Sequence, residues 1–360
     1  MVDINKFIWN LKESWQKIYK IFDESTTYST LFEYVKSAKN IAIIGHDNID
    51  GDSLWSVLAM QQWLKNKFSD KKISAYTNSK PWAIFDFLKA DINYWDDLVL
   101  DDDIDLFIVL DAANLERLWD LYKNNREKIE KTDIINIDHH VSNTNFWKIN
   151  IVDDKSPATA QVVFEIISTI ENKVNNFINQ TIVWFYENVS NYLLMWILTD
   201  TQIFMINTAN EKTLSIASEL IKKWADKNYL IDNLFQNKSI EQLKLEWIIF
   251  DRIKVVKKND INFCYSYYTI KDLENLWLDV KDSALWKWLV SKLTSLKWMC
   301  FVCLWRIKEW ETSLSFRSKS FDVNQLAWKF NWWGHKNASW AKLSWNIKPE
   351  DIENKILSNL

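Results

Sequence analysis

Ile135-Asn136-Ile137-Asp138-His139-His140 is the stretch on which this chain turns. The apolar run marks a buried strand, and Asp-His-His follows it at once. Only four histidines occur in the whole chain, and two are here. Carboxylate and imidazole together suit Mn²⁺, Mg²⁺, Fe²⁺ or Zn²⁺. One such triplet cannot close a catalytic metal site, so partners are needed elsewhere. His46-x-x-x-Asp50-x-Asp52 follows the apolar run Ile41–Ile44. Asp111 follows Leu106–Leu110, and Asp200 follows Leu193–Leu198.

Outward from these clusters the pattern alternates between strands and helices, which predicts a parallel, doubly wound α/β sheet. Strands are expected at Ile41–Ile44, Ile73–Thr77, Leu106–Leu110 and from Ile134. Asp52 or Ser53 is expected to cap a helix through Leu54, Val57, Leu58, Met60 and Leu64. Pro81–Leu88 reads as a connector, Asp101–Asp103 as a solvated loop and Asn114–Lys131 as one polar helix. Residues 157–198 read as largely helical, with a further helix over Asn210–Asp226. In doubly wound sheets, ligands gather beyond the carboxyl ends of the strands, where the acidic and histidine clusters fall.

The expected organisation is N-terminal helices over 1–37, a catalytic domain over 38–226, a helical linker over 227–244 and a smaller α/β domain over 245–360. Within the last, strands are expected at Ile248–Val256, Ile261–Tyr268, Trp298–Ile307 and Glu311–Arg317, with a helix over Ser283–Leu293. A length of 360 residues fits two cores. The net charge of −4 offers no basic field for long nucleic acid. Cys264, Cys300 and Cys303 show no pairing pattern, which fits a reducing compartment and buried structural thiols. Met1–Asp23 reads as a charged amphipathic helix, not a signal peptide, and no run of about 18 apolar residues occurs. A cytoplasmic protein without a membrane partner is expected.

Composition holds one anomaly. The chain has 3 glycines and 23 tryptophans, where average usage would give roughly 25 glycines. The tryptophans stand where glycine is expected, as in Asp50-Gly-Asp-Ser-Leu-Trp55, Trp332-Trp333-Gly334 and Ala338-Ser-Trp340. Most of them are therefore expected to be UGA codons that the source organism reads as glycine. UGG at codons 332 and 333 would sink this expectation.

His46, Asp50, Asp52, Asp111, His139 and Asp200 provide six candidate ligands, four of them carboxylates. That charge suits two divalent ions sharing a carboxylate, the arrangement that serves phosphoryl displacement. A second constellation lies near the C-terminus: Arg317-Ser318, then Trp332-Trp333-Gly334-His335. Arg317 can grip phosphate with two parallel bonds. With glycine restored, 332–334 would expose backbone N–H groups to a phosphate or base.

On these residues the chain resembles the DHH phosphoesterase family, in the subgroup with a C-terminal DHH-associated domain, and within it the NrnA-like enzymes. The resemblance covers about residues 38–350 and rests on His46–Asp52, Asp111, Asp138-His139-His140, Thr199-Asp200-Thr201, Arg317-Ser318 and the 332–335 loop. It implies two Mn²⁺ ions, with Mg²⁺ or another divalent ion as substitute. One would be held by His46, Asp50 and Asp111, the other by Asp52, Asp111, His139 and Asp200. His140 would act beside the scissile phosphate, and Asp138 would orient the histidines. Arg317, Ser318, Gly334 and His335 would hold the far end of a short nucleotide. The implied activity is hydrolysis of short oligoribonucleotides (nanoRNA) to mononucleotides, of 3′-phosphoadenosine 5′-phosphate (PAP), or of both. A homodimer is expected by resemblance only. The family carries glycine where Trp55, Trp196, Trp332, Trp333 and Trp340 stand. Asn48-Ile49, Gln202 and Asn331 depart from its pattern. Alternatives are a cyclic-dinucleotide phosphodiesterase and a non-catalytic nucleotide-binding module; cleavage polarity, 3′-5′ or 5′-3′, stays open.

Overall fold

Runs of isoleucine, leucine and valine too apolar for a half-exposed strand become interior strands of a parallel sheet, covered on both faces. In the computed structural model the described residues are 27–47, 49–78, 80–81, 83–94, 99–145, 147–178, 187–201, 203–205, 209–278, 284–330, 334–343 and 347–360. The N-terminal sheet contains β1 (Asn40–Ile44), β2 (Lys72–Thr77), β3 (Asn93–Tyr94), β4 (Leu106–Leu110), β5 (Asp133–Asp138) and β6 (Ile149–Val152). Their order is β3-β2-β1-β4-β5-β6, all parallel. Every residue of β1 and β4 is buried. Strand order reverses between β1 and β4, so the crevice beyond their carboxyl ends is the switch point of a doubly wound sheet.

The chain clusters into two compact units: Phe85–Asp232 with the chain up to Pro81, and Asn233–Leu360 with residues 82–84. The second unit is built on β7 (Lys254–Lys258), β8 (Ile261–Thr269), β9 (Phe301–Ile307), β10 (Thr312–Ser318), β11 (Gly334–His335) and β12 (Ala338–Leu343). Its order is β11-β12-β10-β9-β8-β7, antiparallel except for the β8–β9 pair. Phe263, Phe301, Trp305, Phe316, Leu314 and Ile352 lie in the core on one side of this sheet.

Several boundaries differ from expectation, each for a local reason. Asp50, rather than Asp52 or Ser53, caps the Gly51–Lys67 helix, its carboxylate accepting from Ser53 N. The expected 114–131 helix is a turn over Leu115–Leu118 and two short helices, Trp119–Asn124 and Arg126–Lys131. Trp119 sits at φ 46°, ψ −123°, a conformation no helix can pass through. Ile248–Asp251 is helical instead of extended, because a capping box between Ser239 and Gln242 starts a helix over Ile240–Asp251. Cys300 is half-exposed, while Cys264 and Cys303 are buried, and all three are free thiols. The first expected helix (Met1–Asp23), Asn48, Gln202, Asn331, Trp332 and Trp333 lie outside the described residues.

The tryptophans take unusual places. Ten described non-glycine residues have positive φ, and four are tryptophan: Trp119, Trp224, Trp277 and Trp298. Two of these close helices in the pattern that glycine normally serves. After the Glu211–Lys222 helix, Ala225 N donates to Leu220 O and Trp224 N to Ile221 O. After the Ile270–Asn275 helix, Leu278 N donates to Leu273 O and Trp277 N to Glu274 O. Trp277 is 94% exposed, so its ring gains no packing there. Trp55 and Trp196 are instead fully buried, their indole N–H groups without a hydrogen-bond partner. Trp55 stacks on Tyr192 and meets Phe85 edge-on. Trp340 is partly exposed on β12.

Candidate metal centre

Three adjacent parallel strands end at one place, and each delivers a ligand candidate one or two residues later. His46 follows β1, Asp111 follows β4, and Asp138 ends β5 ahead of His139 and His140. Two groups of ligand atoms lie within 4.8 Å of one another: His46, Asp50 and Asp111, and Asp111, His139 and His140. Asp111 belongs to both. His46 Nε2 is 3.6 Å from Asp50 Oδ1 and 3.4 Å from Asp111 Oδ2. His139 Nε2 is 3.7 Å from Asp111 Oδ1 and 3.7 Å from Asp52 Oδ2. Asp111 has φ 60°, its N–H tied to Ile137 O at 3.0 Å.

Hydrogen bonds on the far side of each group fix its orientation. The Nδ1 of His46 faces Asp47 O at 2.6 Å and that of His139 faces Ser156 O at 3.2 Å. A carbonyl only accepts, so both Nδ1 atoms carry a proton and Nε2 of each ring faces the carboxylates. His140 Nδ1 is 2.7 Å from Asp138 Oδ1. Asn143 Nδ2 donates at 2.7 Å both to Asp138 Oδ2 and to Asn136 Oδ1. Asn136 Nδ2 donates in turn to Ala112 O at 3.1 Å, linking the Asp-His-His loop to the Asp111 loop.

Charge is concentrated here. Burial, with Asp111 and Asp200 nearby, raises the Asp52 pKa well above the usual carboxylate range. Burial opposes ionisation of Asp111 too, but the His46 hydrogen bond and the charge of His140 bring it down. For His46, burial alone would lower the pKa, yet the Asp111 and Asp50 carboxylates push it up to about 10. His140 likewise is raised against its burial by Asp138 and Asp111. Among the described residues no lysine or arginine pairs with Asp52 or Asp111. Carboxylate oxygens and imidazole nitrogens within this spacing fit a hard or borderline divalent cation.

The structure therefore brings His46, Asp50, Asp111, Asp138, His139 and His140 together. Asp52 adjoins His139, with its oxygens committed to the backbone: Thr159 N donates to Oδ2 at 2.7 Å and Ala160 N to Oδ1 at 2.9 Å. Asp200 ends the Glu187–Asp200 helix and acts on Asp52 through its charge, outside both ligand groups. The first turn of the Thr159–Ile178 helix was not among the expected site residues. Its signal in sequence is slight, a Ser156-Pro-Ala-Thr159 helix start.

In the second unit, β10, β12 and β11 place Arg317, Ala338 and His335 on one rung by backbone register. Arg317 Nη1 donates to Phe316 O at 2.8 Å, and burial lowers the guanidinium to about 10, still charged at neutral pH. The Ser318 hydroxyl donates to Phe321 O at 2.6 Å and accepts from Ser320 N at 3.1 Å. Gly334 pairs with Ser339 at the sheet edge.

The DHH family N-terminal domain matches residues 40–185, which contain β1 to β6 and both ligand groups. Over residues 40–185 the chain is similar to the DHH family. The chain is 25% identical over 321 residues to the bifunctional oligoribonuclease and PAP phosphatase NrnA of Bacillus subtilis, covering 88% of this chain and 91% of that one. It is 26% identical over 310 residues to the uncharacterized protein MG371 of Mycoplasma genitalium, covering 85% and 87%. In fold it matches an exopolyphosphatase-related protein from Bacteroides fragilis, with a TM-score of 0.78 at 22% identity, covering 92% of this chain and 95% of that one. No helix among the described residues is long and apolar enough to cross a membrane.

Proposed function

We propose that this DHH protein is a metal-dependent phosphoesterase that hydrolyses short oligoribonucleotides to mononucleotides, PAP, or both. The observation that carries this is the sharing of Asp111 by two ligand groups at a switch point of the sheet. Support also comes from the similarity to NrnA over most of both chains. His46, Asp50 and Asp111 would hold one ion, and Asp111, His139, Asp52 and Asp200 the other. Two divalent cations, Mn²⁺ by resemblance, would supply positive charge for the phosphate and make the attacking water acidic enough to react near neutral pH.

The chain's own residues do the rest. His46 and His139 keep Nε2 directed at the site because carbonyls hold their Nδ1 protons. Asp138 holds His140 by Nδ1 and, with Asp111, favours its protonated form. A protonated His140 can stabilise charge on the phosphate or give a proton to the leaving oxygen as the P–O bond breaks. By the same resemblance, Arg317, Ser318, Gly334 and His335 would contact the nucleotide.

The test offers the Mn²⁺-loaded protein a 5′-labelled RNA dinucleotide, PAP, cyclic-di-AMP and pyrophosphate side by side. Turnover of the first two, abolished by chelator, is expected. Turnover of cyclic-di-AMP or pyrophosphate alone would overturn the substrate class while keeping metal-assisted hydrolysis. No turnover of any of them by folded, metal-loaded protein would overturn the enzyme assignment.

A further inference from the structure

Thr159 contributes no candidate ligand, yet it touches two of them. Its hydroxyl donates to Asp111 Oδ1 at 2.9 Å. Its backbone N–H donates to Asp52 Oδ2 at 2.7 Å, and the next N–H, from Ala160, donates to Asp52 Oδ1 at 2.9 Å. The residue is fully buried. Three positions earlier, Ser156 O holds the Nδ1 of His139. The five residues 156–160 thus grip side chains from the first turn of the Gly51–Lys67 helix, the loop after β4 and the loop after β5.

Each bond has a directional consequence. A carboxylate oxygen has two lone-pair directions, and a donor occupying one leaves the other for a cation. The Thr159 hydroxyl occupies one direction on the Asp111 oxygen nearest His139 and His140. Asp52, meanwhile, lies across the positive end of a 20-residue helix, which offsets part of the cost of a buried carboxylate crowded by Asp111 and Asp200.

We infer that Thr159 is a positioning residue that sets the rotamers of Asp52 and Asp111 relative to each other, and so the affinity with which these carboxylates would hold a divalent cation. The inference rests on the metal reading above. Hydrogen-bonding partners of ligands typically contribute about 10- to 100-fold to metal affinity, and Thr159 serves two carboxylates at once.

Isothermal calorimetry with Mn²⁺ alone tests this, comparing the full chain with Thr159→Val and Thr159→Ser. Valine keeps the shape and both backbone bonds but loses the hydroxyl; serine keeps the hydroxyl. We expect Thr159→Val to weaken Mn²⁺ binding about 10- to 100-fold and to lower kcat with KM nearly unchanged. Thr159→Ser should restore both to within about threefold of the parent. A merely structural role would lower the melting temperature of the metal-free protein and leave the affinity of the folded fraction unchanged. Should the valine variant fail to fold, Thr159→Ala removes the hydroxyl without placing a methyl group against Asp111 and carries the same expectation. Parent-like Mn²⁺ affinity in the hydroxyl-less variant would overturn the inference alone. Absence of Mn²⁺ binding in the parent would overturn the metal reading, and the inference with it.

Discussion

The helices Gly51–Lys67 and Thr159–Ile178 run side by side in the same direction and touch at two levels, with opposite treatment of buried charge. At their N-terminal ends Asp52 is held by the Thr159 and Ala160 N–H groups beside Asp111. At the other end Glu171 is buried against Lys67, and Trp63 Nε1 donates to the same carboxylate at 2.7 Å. The lower carboxylate has its own cation from the chain. The upper pair has hydrogen bonds and histidines but, among the described residues, no lysine or arginine partner. A buried carboxylate neutralised from within is architecture, whereas a cluster left with surplus negative charge is a receptacle for a cation.

Removing the receptacle should have the largest effect. Asp111→Ala is expected to lower kcat/KM at least about a thousandfold, roughly 4 kcal/mol of transition-state stabilisation. Steady-state kinetics with Mn²⁺ on the dinucleotide would measure it, and near-normal turnover would erase the distinction between the two ends. At the closed end, Lys67→Met should destabilise the fold by about 3–5 kcal/mol by leaving Glu171 without its cation, while Lys67→Met with Glu171→Leu should regain most of that. Urea denaturation would show it; a small loss in the single variant would mean that Glu171 had become protonated at little cost.

The same lysine gives a pH signature of known sign. Burial outweighs the attraction of Glu171 and lowers Lys67 from 10.5 to about 8. Between those values the unfolded chain binds the proton more tightly than the folded one, so the Lys67 contribution to stability rises with pH from about 8 to 10.5. The slope should be present in the parent and missing from Lys67→Met. At the open end, adding Mn²⁺ at about a hundred times its Kd should stabilise the parent by ~2.7 kcal/mol, and chelator should reverse it. Asp111→Ala should lose that shift.

Backbone strain sharpens the contrast with the smallest effect. Asp111 at φ 60° and Trp277 at φ 56° share a left-handed conformation. Asp111 is held in it by Ile137 O, Thr159 and His46, whereas Trp277 ends a helix with its ring in water. Trp277→Gly should therefore stabilise the protein by about 1 kcal/mol, read as a raised urea midpoint. A lowered midpoint would show that the ring contributes where it stands.

The convergence of the candidate ligands was legible in sequence because strands β1, β4 and β5 announce themselves as apolar runs, and hydrophilic residues directly after them stand out. Thr159 was not, since a threonine at a helix start reads as an ordinary cap until Asp52 and Asp111 are seen to converge on it. Asp50, Asp52 and Ser53 all qualify as caps by type, and only backbone geometry separates them. Ile248-Ile249-Phe250 suits a strand or a helix equally, and a capping box some ten residues earlier settled the matter. Short strands such as β3 and β6 take their pairing from neighbours rather than from a period of their own.

Strand order has a consequence for the growing chain. β1 pairs with β4 across the crevice, yet β2 and β3 are synthesised between them and lie on the other side of β1. During translation His46 therefore emerges well before Asp111 can reach it, and His139 later still. Neither ligand group exists in a nascent chain that stops short of β4. A cation bound there would thus be withheld from early intermediates and would report completed topology, arriving only after the slow, long-range parallel pairing is made.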